Sequence, residues 1–104
     1  MDKHTILNTI KESFEQWYNT NVNTNKSKVS AVIAFSDEQT LLIKAYHKIT
    51  IRLVVIGIKD NLSYTIPITE VSGHYNHGIT SEEEAFNISL KQFLNSIYSY
   101  CYKN

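Results

Sequence analysis

The sequence predicts an α+β domain: a helix, a four-stranded antiparallel meander and a second helix, with both helices packed on one sheet face. Three observations carry this expectation. Apolar residues recur at helical spacing near both ends of the chain; β-branched residues alternate from Lys28 to Ser72; and clusters of Asn, Asp, Thr and Gly separate the segments. With 104 residues, 42% of them hydrophobic, the chain has the size of one domain, 1–104, with one core.

The first helix runs from Thr5 to about Tyr18, with Ile6, Leu7, Ile10, Phe14 and Trp17 on one stripe. The run from Asn19 to Asn25 ends it, because Asn and Thr side chains compete for backbone hydrogen bonds. Strand one presents Val29, Ala31, Ile33 and Phe35 to one side. Gln39 to Ile58 holds no Pro and, before Gly57, no Gly, yet twenty residues are too many for an ordinary strand, so a turn is expected at His47-Lys48-Ile49. That turn sets Leu41, Ile43 and Ala45 opposite Val55, Leu53 and Ile51, an apolar face throughout. Asp60-Asn61 tolerates positive φ and closes the next hairpin, bringing Tyr64 over Gly57, Ile66 beside Val55 and Ile68 beside Leu53. Pro67 lacks an N–H and marks an edge strand. A loop from Gly73 to Gly78 leads to the second helix. Either Thr80 with Glu83 or Ser81 with Glu84 opens that helix as a capping box, and Phe86, Leu90, Phe93, Leu94, Ile97 and Cys101 form its apolar stripe.

The sheet face turned away from the helices carries Val32, Leu42, Val54 and Ile56 at its centre. A solvent face of an antiparallel sheet is ordinarily polar, so this patch is expected to bind a second copy or another protein. Lys44 lies opposite Arg52 in this register, with Tyr46 beside them. Arg52 is the only arginine, and a guanidinium suits bidentate recognition of a carboxylate or phosphate. His74, Tyr75 and His77 cluster in the glycine-flanked loop and are read as a partner contact. H-x-x-H supplies two of the three or four ligands zinc requires, which Glu70 or His47 would have to complete, so no metal is expected.

Ten basic and ten acidic residues cancel, which argues against direct nucleic-acid binding. Helix, three strands, helix is the order of double-stranded RNA-binding domains, which meet RNA phosphates with a basic start to the last helix. Here Ser81-Glu82-Glu83-Glu84 stands in that place and a further strand intervenes, so that family is not adopted. No phosphate-binding glycine loop or nucleophile elbow is present, Cys101 has no neighbouring base, and the glutamate run suits a helix start better than acid catalysis. Neither an enzyme nor a cofactor is expected. No 18-residue apolar stretch and no apolar leader follow Met1, which suggests a cytoplasmic protein. Thirteen Ile, ten Asn, nine Lys and seven Tyr against one Arg suggest an AT-rich bacterial genome, its phages or its mobile elements. The expected function is a stoichiometric protein-binding module, such as an immunity or anti-defence inhibitor. The alternative is a small-ligand binder for a nucleotide or other anion at the open sheet face and histidine loop.

Overall fold

The computed structural model describes residues 2–23, 27–39, 46–76 and 78–103, without the side chain of Gln39. Helix α1 (Lys3–Asn21) is followed by β1 (Ser30–Gln39), β2 (Tyr46–Lys59), β3 (Leu62–Asn76) and helix α2 (Glu82–Lys103). The sheet is antiparallel in the order β1-β2-β3, which makes three strands rather than four. The expected turn at His47-Lys48-Ile49 is wrong: these residues lie inside β2. The reason is that His47 does not behave as a turn residue. It is fully buried, and the alternation His47, Ile49, Ile51, Leu53, Val55 continues one covered face without a break. Leu41, Leu42, Ile43, Lys44 and Ala45 fall outside the described residues, and so does His77.

Two compact units divide the chain, Met1–Ile33 with Leu53–Ile68 and Ala34–Arg52 with Thr69–Lys103. In the first, Asp2 caps α1: the Thr5 N–H donates to its Oδ1 at 2.8 Å, and that bond holds the carboxyl below its usual 3.8. Leu7, Phe14 and Tyr18 are the buried residues of α1, with the Phe14 ring 5.7 Å from Trp17 and 5.9 Å from Tyr18. Burial, and secondarily the neighbouring Tyr64, raises the Tyr18 phenol above its usual 10.0. Ala31, Leu53 and Val55 from the sheet, and Val29 just before β1, join this core. Two α1 side chains also satisfy the start of the edge strand. Asn19 accepts from the Val29 N–H and donates to its carbonyl, both at 3.0 Å, and Glu15 accepts from the Ala31 N–H at 2.9 Å. An edge that would otherwise invite another strand is thereby occupied.

Asp60 (φ 54°) and Asn61 (φ 65°) form the expected hairpin turn. Gly57 is needed for space: a Cβ there would lie 2.7 Å from Cε1 of Tyr64, whose ring covers the position. In the second unit Tyr75 covers Gly73 in the same way, its hydroxyl oxygen 2.8 Å from where a Cβ would sit.

The core of the second unit contains His47, Ile49 and Ile51 from β2 and Ala85, Phe86, Ser89 and Phe93 from α2. Phe35 meets Phe86 edge to face at 5.5 Å. Ser81 caps α2 by accepting from the Glu84 N–H at 3.1 Å, and Glu82, Glu83 and Glu84 occupy the first turn, where the helix dipole favours negative charge. Leu94, expected in the buried stripe, is 42% exposed.

The burial phase of β3 slips once along its length. Tyr64 is shielded with Ile68, but from Thr69 onward the shielded positions are Val71, Gly73 and Tyr75. Before the slip the even positions Tyr64 and Ile68 are half-buried, with Ile66 between them 38% exposed, and after it the odd positions are half-buried, as one extra residue in a strand produces.

Candidate functional site

Period-two geometry turns the even residues of β1 and β2 away from the buried odd ones. In the first unit this outward set includes Val32 (39% exposed), half-buried Val54 and Ile56 (37%), with Ser30, Thr65 and Pro67 also exposed. The expected apolar centre is therefore present, except for Leu42, which lies outside the described residues.

In the second unit the outward set is polar. Tyr46 and Arg52 are exposed, Thr50 is half-buried, and Glu70, Ser72 and His74 are exposed on β3. Thr50 and Ser72 join their hydroxyls at 3.3 Å. A depression of about 200 Å³ is lined by Ala34, Phe35, Ser36, Thr50, Arg52 and Glu70. Arg52 was anticipated here; Glu70 as its neighbour was not. Among the described residues neither side chain enters an ion pair. Lys44, the other half of the expected clamp, lies outside the described residues.

The histidine loop requires correction. Gly73 to Asn76 are the last residues of β3, not a loop. Their alternation sends His74 to the exposed side and Tyr75 inward, so the two do not share a contact surface. Tyr75 lies 6.0 Å from the His47 ring, and its hydroxyl is 2.9 Å from the Ser89 hydroxyl. His47 and Glu70, considered as extra metal ligands, stand on opposite sides of the sheet, the first buried and the second exposed. Among the described residues no group of three His, Cys, Asp or Glu is placed to hold a metal ion.

Inside the second unit, His47 Nδ1 lies 2.9 Å from Asp37 Oδ1. A carboxylate only accepts, so Nδ1 carries the proton in this contact. The His47 side chain is 1% exposed, and through Tyr75 and Ser89 the Asp37–His47–Tyr75–Ser89 group ties the strands to α2. Sequence reasoning missed this group. The available signal was a histidine standing at an odd, core-facing position of an otherwise apolar alternation.

Cys101 is half-buried, and burial raises its thiol above the usual 9.0. At pH 7.5 it is expected to react with a disulfide reagent several-fold more slowly than free cysteine does, in a stopped-flow absorbance assay, because the thiolate is the nucleophile. A rate equal to or above that of free cysteine would show an activated thiol.

Three strands between two helices remove one of the two differences from double-stranded RNA-binding domains. The other stands, since Glu82, Glu83 and Glu84 are all exposed where a basic helix start would meet phosphates. The chain matches no protein-family model, no curated protein and no solved structure. No helix among the described residues is long and apolar enough to cross a membrane.

Proposed function

We propose that this chain is a non-enzymatic protein-binding module, acting by occupancy in the manner of an immunity or anti-defence inhibitor, and that it assembles with a second copy through its outward sheet face. The observation that carries the reading is the exposure of Val32 and Ile56, with Val54 beside them, on the face opposite the core. Apolar surface left exposed on a folded sheet is stabilised by association, and twofold pairs are the commonest assemblies. A cytoplasmic setting and a phage or mobile-element source belong to the same proposal, supported by the lone cysteine and the bias toward Ile, Asn, Lys and Tyr.

Light scattering after gel filtration is expected to give twice 12.0 kDa at micromolar concentration. Ile56→Asp should weaken association by about tenfold or more, because a buried unpaired carboxylate opposes the contact, while circular dichroism stays unchanged at this exposed position. A wild-type monomer at high micromolar concentration would refute the homodimer.

The depression at Arg52 favours a small ligand as the second reading. Glu70 in the same depression opposes a simple anion, so a nucleotide phosphate is the weaker occupant. Binding of an anion would fade with salt, whereas the apolar part of a contact between copies would persist.

A further inference from the structure

We propose that a twofold axis through the Arg52–Glu70 depression joins two copies of the chain by reciprocal ion pairs, each copy's guanidinium meeting the other copy's carboxylate. The inference rests on the homodimer reading and names the contact that selects the partner. The second unit supplies the observations. Arg52 from β2 and Glu70 from β3 line one depression of about 200 Å³, both are exposed, and neither enters an ion pair among the described residues.

Symmetry makes this arrangement informative. In a twofold contact a surface meets itself, so residue i touches j while j touches i. A patch with one sign of charge at the axis would repel its own copy. A patch with one guanidinium and one carboxylate side by side closes instead, because a half-turn exchanges the two positions. The lining suits that closure: Ala34, Ser36 and Thr50 are small, leaving room for two long side chains from each copy, and the Ser36 and Thr50 hydroxyls can join the network. The arginine fork also matches a carboxylate in two parallel hydrogen bonds, which adds orientation to attraction. Glu70 simultaneously disfavours the alternative occupant, a free phosphate or carboxylate. The contact is therefore self-complementary and excludes simple anions by the same residue.

Charge reversal tests it, read by analytical ultracentrifugation of the full chain over a dilution series in low salt. Each substitution acts twice across the axis, so Arg52→Glu and Glu70→Arg should each weaken the dimer by at least about tenfold. The double reversal, which restores opposite signs, should return the dissociation constant to within about threefold of wild type. Wild-type association should also weaken as salt rises toward about 0.5 M, where screening is short-ranged. Melting temperatures should change little in either single variant, since both positions are exposed. If Ile56→Asp splits the dimer while both single reversals leave it intact, the homodimer reading survives and the ion-pair contact is overturned. If both singles weaken the dimer and the double does not restore it, reciprocal pairing is overturned. A wild-type chain that stays monomeric removes both.

Discussion

Phe93→Ala is expected to remove about 3–5 kcal/mol of unfolding free energy, the range for truncating a buried aromatic and leaving a cavity. Phe93 is fully buried on α2, in the unit whose core also contains Ile49, Ile51, Ala85 and Phe86. Domains are stable by only about 5–15 kcal/mol, so the loss takes a large share of the total. Urea denaturation followed by circular dichroism measures it. Leu94→Ala is the control one residue along, at a position 42% exposed, and should cost no more than about 1 kcal/mol. Equal losses at the two positions would show that the α2 stripe is misplaced.

That pair of substitutions also marks what the sequence made legible. Helical spacing identified α2 and most of its stripe, but Leu94 lies about 100° around the helix from Phe93, in line with Leu90 and Ile97, and spacing alone does not tell a core position from its flank. Features written in local chemistry were readable. Ser81 caps a backbone N–H three residues on, and Asp60-Asn61 adopts positive φ because those two side chains tolerate it. Features that depend on distant partners were not. His47 reads as a polar break in a strand until Asp37, ten residues earlier, is seen to lie 2.9 Å from its Nδ1.

The slip in β3 had the same cause and a larger consequence. Ile68 and Thr69 are both good strand formers, so nothing in their composition announces an extra residue. Without the slip, Glu70 would follow Tyr64 and Ile68 toward the core face, where an unpaired carboxylate is costly. That cost was the available clue. With the slip, Glu70 reaches the outward face and shares a depression with Arg52. Lys44 lies outside the described residues, so among them Arg52 has a carboxylate as its neighbour in the depression, which suits another copy of the same surface better than the anion of the alternative reading.

Asp37→Ala is expected to cost about 1–3 kcal/mol, the penalty for leaving a buried donor without its acceptor. His47 is 1% exposed at its side chain and Asp37 is 23% exposed, so removing the carboxylate strips Nδ1–H of this partner without opening a large core cavity. Asp37→Asn keeps an oxygen acceptor and should recover most of the loss if the hydrogen bond is what matters. Asp37→Ala combined with His47→Leu should cost less than the two single losses added together, because a leucine leaves no buried donor behind. Thermal and urea denaturation of Asp37→Ala, Asp37→Asn, His47→Leu and the double variant measure these differences. Additive losses would mean that Asp37 and His47 contribute independently, and the 2.9 Å contact would then not be what makes a buried histidine tolerable near the start of β2.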